Sequence, residues 1–278
     1  MIFVKKISKL QEILSAFKQN GNRIGFVPTM GALHEGHVSL IRRSKEENDI
    51  SICSIFVNPA QFNNPADLKL YPQTPESDLD QCEKAGCDIL FLPSVTEMYP
   101  PGEAPVHYEL GYLETILEGK YRPGHFQGVC MIVDKLLAAT TPDTMYLGRK
   151  DFQQCLVIKK MAELQKYATS IRICDTIREK DGLAMSSRNR RLNAAERETA
   201  VKISACLLMM KEKFGHTGLQ EIKRTAGIFL ENNGYTVDYA EIADAETLEI
   251  LKEQGSGKAV ALVAAYLNGV RLIDNMLL

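Results

Sequence analysis

The amino-acid sequence predicts an α/β fold, with a parallel sheet flanked by helices, followed by a smaller α+β domain. Three observations predict it. Over the first two-thirds of the chain, short apolar runs alternate with segments of helical periodicity, the pattern of successive strand–helix–strand units. After Asp175 the alternation stops, and a polar stretch at 179–191 leads into helices and then strand-like runs. With 278 residues and 45% hydrophobic content, the chain can bury a sizeable core and divide in two. The expected division is an α/β domain over residues 1–176 and an α+β domain over 177–278.

Taken in order, strands are expected at 23–27, 50–57, 88–92, 144–147 and 170–174. Each is a short apolar run bounded by polar or turn residues. Helices are expected at 38–47, 75–85, 126–139 and 152–167, where apolar residues recur at helical intervals. Residues 58–74, rich in Pro and Asn, read as a long functional loop after the second strand. Beyond the polar stretch, Asn193 followed three residues later by Glu196 makes a capping box that opens a helix. A further helix at 218–232 and strands at 236–242, 258–267 and 271–277 complete the chain.

Lys and Arg number 33 against 35 Asp and Glu, for a net charge of −2. That balance offers no global attraction to nucleic acid or an anionic membrane, so any nucleotide it binds should be a small molecule held by local groups. Seven cysteines, an odd number without a C-x-x-C pair, suit reduced thiols better than a disulfide framework. The first residues turn polar too early for a signal peptide. The longest apolar run, 259–267, is less than half a membrane span. A cytoplasmic protein without membrane or nucleic-acid partners is expected.

The most informative run is Pro-Thr-Met-Gly-Ala-Leu-His-Glu-Gly-His at 28–37, directly after an apolar strand and opening an amphipathic segment. The first turn of a helix presents unpaired N–H groups and the positive end of its dipole, so anions settle there. His34 and His37 are three apart and share one helix face. Gly36 inside a helix costs about 1 kcal/mol against alanine, which points to a close approach to the backbone. Read alone, the same run also fits an ordinary polar loop; the strand–turn–helix context favours a phosphate site.

A second run is Met185, Ser186, Ser187 and Arg188, with Arg190 and Arg191 close behind. Hydroxyls beside a guanidinium form an anion clamp, and a connector between domains can close over a nucleotide. A solvated linker explains the same residues. The third run is Gly148, Arg149, Lys150 and Asp151 before a helical pattern, where Lys150 adds a charge and Asp151 suits either a site or a helix cap. Gln153 and Gln154 point about 100° apart on a helix, so only one can line a pocket. Gln61 is another neutral amide able to recognise hydroxyl or carboxylate oxygens. Tyr121, Arg122 and His125 lie in a loop at 119–128 that could touch a ligand and receives no role. No G-x-S-x-G, G-x-x-x-x-G-K-[ST] or G-x-G-x-x-G run is present. The histidines and cysteines lack zinc-ligand spacing, and the histidine pair has only Glu35 beside it, so no protein-ligated metal is expected.

At these residues the chain resembles the pantothenate synthetase family, ATP-dependent ligases that join pantoate to β-alanine. The matching runs are 28–37, Phe-Val-Asn-Pro-Ala-Gln-Phe at 56–62, Leu-Glu-Gly-Lys-Tyr-Arg-Pro-Gly-His-Phe at 117–126, 148–154 and 185–192, in the family's order. The resemblance implies a Rossmann-like nucleotidyltransferase domain with HIGH-type and KMSKS-type signatures, at 34–37 and 185–188, and a smaller lid domain. It implies that Met30, Gly31, Ala32, Leu33, His34, Glu35, Gly36 and His37 contact ATP, with His37 as proton donor. Gly148, Arg149, Lys150, Asp151, Ile177, Met185, Ser186, Ser187 and Arg188 would complete the ATP site. His37, His34, Lys150 and Arg188 would be the catalytic set. Gln61 and Gln154 would hold pantoate, with Gln61 also against β-alanine. A homodimer is implied, with Mg²⁺ held mainly by the phosphates of ATP. Two positions depart from the family's pattern: Arg149 stands where an acidic residue is common, and Asp175 where a proline often stands.

The implied reaction activates pantoate as an acyl adenylate, which β-alanine then captures. A carboxylate is already ionised at neutral pH, so activation needs alignment and charge neutralisation rather than a general base. His, Lys, Arg, Ser and backbone N–H groups suit that task. The competing readings are a nucleotidyltransferase that stops at an activated product, such as a cytidylyltransferase, and a non-catalytic nucleotide-binding protein.

Overall fold

The computed structural model describes residues 1–104, 106–255 and 257–278. The chain divides into two compact units, 1–149 with 154–175, and 150–153 with 176–278. Residues 150–153 therefore group with the second unit although they directly follow a strand of the first.

In the first unit the elements are β1 (Ile2–Val4), α1 (Ile7–Gln19), β2 (Ile24–Thr29), α2 (Glu35–Glu47), β3 (Ile50–Ile55), α3 (Pro65–Lys69), α4 (Pro75–Lys84), β4 (Ile89–Phe91), α5 (Val95–Met98), α6 (Leu117–Tyr121), α7 (His125–Thr140), β5 (Thr144–Gly148), α8 (Phe152–Leu164) and β6 (Ser170–Cys174). α8 begins among the residues that group with the second unit. All strand pairings in this sheet are parallel, in the order β1-β4-β3-β2-β5-β6. Successive strand residues face opposite sides, and the core divides accordingly. Phe26, Ile52, Ile89, Phe91 and Met145 pack with α1, α7 and α8. Val27, Cys53, Leu90 and Tyr146 pack with α2 and α4. Both faces are covered, which is why the central strands read as near-continuous apolar runs.

The strand order reverses between β2 and β5, where strands on one side descend in sequence and on the other ascend. Gly25 lies opposite Thr144 and Phe26 opposite Met145, so residues after Thr29 and Gly148 leave the sheet at the same end. Such a reversal opens a crevice at the carboxyl ends of the strands.

The five expected strands all form, with ends shifted by one or two residues; 170–174 matches in full. β1 and α1 were not anticipated. The helix expected at 38–47 starts at Glu35, because His34 caps it. The expected loop at 58–74 contains a 3-10 turn, Pro59–Gln61, and α3, each with an asparagine cap and proline at its start.

In the second unit, α9 (Ala194–Ala200), α10 (Lys202–Lys213) and α11 (Leu219–Asn232) precede an antiparallel sheet of β7 (Thr236–Asp244), β8 (Ala259–Leu267) and β9 (Val270–Leu277). The capping box forms as expected: Glu196 N–H donates to Asn193 Oδ1 at 2.9 Å and Asn193 N–H to Glu196 Oε2 at 2.9 Å. Alternate residues of β8, from Ala259 to Leu267, pack with α10 and α11.

Candidate active site

In the first unit the segment after β2 turns sharply. Gly31 has φ +76°, and a Cβ there would lie 3.0 Å from both Asp78 Oδ2 and Ile55 Cγ2, so glycine is required. Ala32 follows at φ 49°, a region that L residues rarely occupy. A buried carboxylate holds this conformation. Asp78, on α4 and 2% exposed, accepts from Ala32 N–H at 2.9 Å and Leu33 N–H at 2.8 Å. It also accepts from the Thr74 hydroxyl at 2.9 Å.

α2 then opens on both histidines. His34 is its N-cap: its Nδ1 accepts from Gly36 N–H at 3.2 Å, and His37 Nδ1 accepts from His34 N–H at 3.4 Å. The rings lie 4.0 Å apart between centroids. An accepting Nδ1 carries no hydrogen, so each neutral ring holds its proton on Nε2. The cap thus fixes both imidazoles beside the positive end of the α2 dipole. Glu35 is exposed and ion-paired with Arg42.

Gln61 sits on the 3-10 turn after β3, and its amide nitrogen donates to Met30 Sδ at 3.0 Å, which brings two expected site residues together. Asn58 Nδ2 donates to Gln61 Oε1 at 3.1 Å and to Gly128 O at 3.0 Å. Gly128 must be glycine, because a Cβ would lie 2.2 Å from Ala60 O. The segment 119–128, expected as a loop but formed by the end of α6 and the start of α7, supplies the rest of this support. His125 Nδ1 donates to Gln61 O at 2.8 Å, leaving Nε2 to accept from Arg122 at 3.0 Å. Arg122 in turn pairs with buried Glu118 at 3.4 Å. Gly148 ends β5 and Arg149 opens the 3-10 turn that follows, and Gln154 is half-buried on α8, whereas Gln153 is 2% exposed. The two positions that depart from the family's pattern, Arg149 and Asp175, form an ion pair with each other.

In the second unit, Asp151 lies within a 3-10 turn, Arg149–Asp151, that runs directly into α8. It thus sits at a helical position rather than an extended cap, and accepts from Lys150 Nζ at 3.0 Å. Met185 N–H donates to Ile177 O at 3.0 Å, joining two more expected residues. Ser186 caps the 3-10 turn Ser187–Arg191 by accepting from Arg188 N–H at 3.3 Å. Ser187 is buried at 6% exposure, so this segment is a built turn rather than a solvated linker. Arg178 donates to buried Asp274 at 2.6 and 3.0 Å, and Asn275 Nδ2 donates to Lys150 O at 2.8 Å.

A family model described as pantoate-beta-alanine ligase matches residues 2–277, nearly the whole chain. The chain belongs to the pantoate–β-alanine ligase family. A pantothenate synthetase from Cytophaga hutchinsonii is 42% identical over 282 residues, covering 100% of this chain and 99% of that protein. One from Bacteroides thetaiotaomicron is 43% identical, covering 99% and 98%. The crystal structure of pantothenate synthetase from Thermus thermophilus superposes with a TM-score of 0.92 at 38% identity, covering 99% of each chain. That of the ligase from Francisella tularensis, complexed with beta-gamma ATP and β-alanine, gives a TM-score of 0.84 at 38% identity, covering 100% of this chain and 97% of that one. The parallel α/β sheet and the small antiparallel C-terminal sheet are thus shared with pantoate–β-alanine ligases.

Asp78, Asn58, Glu118, Arg178, Asp274 and Asn275 were missed as supports of the site. Among the described residues, no group of three or more His, Cys, Asp or Glu could hold a metal ion. Among the same residues, no helix is long and apolar enough to cross a membrane.

Proposed function

We propose that this ligase condenses (R)-pantoate with β-alanine to form pantothenate, driven by ATP through a pantoyl adenylate. A carboxylate oxygen of pantoate attacks the α-phosphorus, and the bond to pyrophosphate breaks. The β-alanine nitrogen then attacks the acyl carbon, expelling AMP. Family membership supports the substrates. The observation that carries the adenylation step is the capped start of α2, which follows β2 at the strand-order reversal and fixes both imidazoles at the positive end of the helix dipole.

Charge grows on the bridging oxygen and on pyrophosphate as the first step proceeds, and donors already in place stabilise it without reorganisation. In this reading Met30, Gly31, Ala32, Leu33, Glu35, Gly36 and both histidines surround ATP, with His37 donating to the departing pyrophosphate. Gly148, Arg149, Lys150, Asp151, Ile177, Met185, Ser186, Ser187 and Arg188 complete the ATP set. Lys150 and Arg188 supply positive charge. Gln61 and Gln154 orient pantoate through neutral amides, which leave its carboxylate free to attack where a salt bridge would pin it. Gln61 also borders β-alanine. Mg²⁺ enters with ATP as part of that substrate. The working form is a homodimer.

Exchange of labelled pyrophosphate into ATP, with and without pantoate, tests acid activation separately from amide formation. His37→Ala and Lys150→Ala should slow pantoate-dependent exchange by orders of magnitude with the fold kept. Near-normal exchange in either variant would contradict the assigned roles. Gln154→Ala should mainly raise the pantoate KM, and an unchanged KM removes it from the pantoate site. Accumulation of a stable nucleotidyl conjugate in place of AMP and amide would favour a transferase that stops at activation.

A further inference from the structure

We propose that the buried Arg178–Asp274 pair, with Asn275 beside it, is a positioning device that fixes the Lys150 segment relative to the Met185–Arg188 segment. The inference rests on the reading of both segments as triphosphate ligands. All the groups concerned lie in the second unit.

Asp274 on β9 is 3% exposed. Arg178 meets it in a two-pronged contact, NH1 to Oδ2 at 2.6 Å and NH2 to Oδ1 at 3.0 Å. The same guanidinium donates to Gly182 O at 3.0 Å and to Asn275 O at 3.2 Å. Asn275 N–H donates to Asp274 Oδ1 at 2.8 Å. Toward one side, Arg178 pairs through its backbone with Ala184 in an antiparallel bridge, and Met185 N–H returns to Ile177 O at 3.0 Å. The Ser-Ser-Arg turn starts directly from that bridge. Toward the other side, Asn275 Nδ2 holds the Lys150 carbonyl at 2.8 Å. Two segments well separated in the sequence thus meet on two consecutive residues of one strand.

Stability alone does not account for the choice of residues. Well-packed apolar side chains often do as well as a buried ion pair or better, because desolvation offsets the attraction. A planar guanidinium with several donors does what an apolar side chain cannot: it fixes direction as well as distance. Phosphate charge must meet Lys150 and Arg188 at once, and a displacement of about 1 Å is enough to impair such a site.

The test is a double-mutant cycle read by calorimetric binding of a non-hydrolysable ATP analogue. Asn275→Leu keeps the volume and removes the bond to Lys150. It should weaken binding about tenfold in the native background but less than about twofold in Lys150→Ala, the non-additivity expected of coupled groups. Asp274→Asn should behave similarly, and where it fails to fold, Asn275→Leu carries the test. Equal losses in both backgrounds, or no loss, overturn the positioning role. Failure of the underlying reading is distinguishable: there Lys150→Ala itself binds the analogue and supports pyrophosphate exchange normally. An intact pantoate KM in Asn275→Leu supports the proposal, since a general structural defect would raise it as well.

Discussion

The two segments proposed to hold phosphate are built by different means. In the first unit, the turn after β2 and the start of α2 are held by backbone N–H groups bonded to side-chain acceptors: Asp78 and the two imidazoles. In the second unit, the hairpin at 177–184 and the turn after it are held by arginine–carboxylate pairs, Arg178 with Asp274 and Arg197 with Asp181. The first arrangement fixes the path of the chain itself, so it should be insensitive to salt. The second depends on charge. Its exposed pair should loosen with ionic strength and acid, while its buried pair is screened far less.

The largest effect is expected at Asp78. Both its oxygens accept backbone N–H groups, and Asp78→Ala strands two buried donors at about 1–3 kcal/mol each. Asp78→Asn retains one acceptor but turns an NH2 group toward the other donor. Chemical denaturation should show a loss of about 2–6 kcal/mol for the alanine variant, with a smaller loss for asparagine. An unchanged midpoint in both would break the claim that this carboxylate sets the turn.

A smaller effect is expected at His125, which supports Gln61 without touching the segments above. His125→Phe keeps the ring and removes the donor to Gln61 O. It also removes the acceptor for Arg122. A loss of about 1–3 kcal/mol should accompany a raised pantoate KM, with the ATP KM unchanged. Parallel changes in both constants would show that Gln61 is not held independently of the α2 segment.

Local periodicity made the sheet, the strand–turn–helix unit at 24–47 and the C-terminal strands legible in the sequence. The first nineteen residues show where that reading falls short. β1 has three residues, too few to display a period. α1 buries Leu10 and Leu14, a four-residue spacing that was available. The histidine pair was legible as the opening of a helix, yet its capping geometry was not, because imidazole is an uncommon cap. Asp78 and Asp274 were hidden for a physical reason. Asp78 looks like an ordinary acidic residue of a first helical turn, and its backbone partners lie 45 and 46 positions away. Arg178 and Asp274 are 96 positions apart. Only folding brings such partners together.

At the Asp181–Arg197 pair the comparison predicts a pH effect. The Arg197 guanidinium holds the Asp181 carboxyl below the usual carboxylate range. A depressed folded value means that this stabilisation is present above the unfolded value of about 3.9 and is lost as pH falls through the lower folded value. Asp181 is half-exposed at 45%, so the pair is worth under about 1 kcal/mol. Native Tm should therefore fall slightly faster below about pH 4 than that of Asp181→Asn, and added salt should narrow the gap between them.

The smallest effect is expected at Arg149–Asp175, the ion pair of the first unit formed by the two positions that depart from the family's pattern. Asp175 is 80% exposed on its side chain, so water and salt screen the attraction, and holding two mobile side chains offsets part of the gain. Arg149 directly follows β5 at the strand-order reversal, so a contribution to nucleotide binding rather than to stability would appear in the ATP KM. A double-mutant cycle of Arg149→Ala and Asp175→Ala should give a coupling of about 0.2–1 kcal/mol at low salt, fading at about 1 M salt as screening shortens to about 3 Å. A coupling as large as that of the buried Arg178–Asp274 pair, and persistent in salt, would break the comparison. Exposure would then not be what separates a fastening ion pair from an incidental one in this protein.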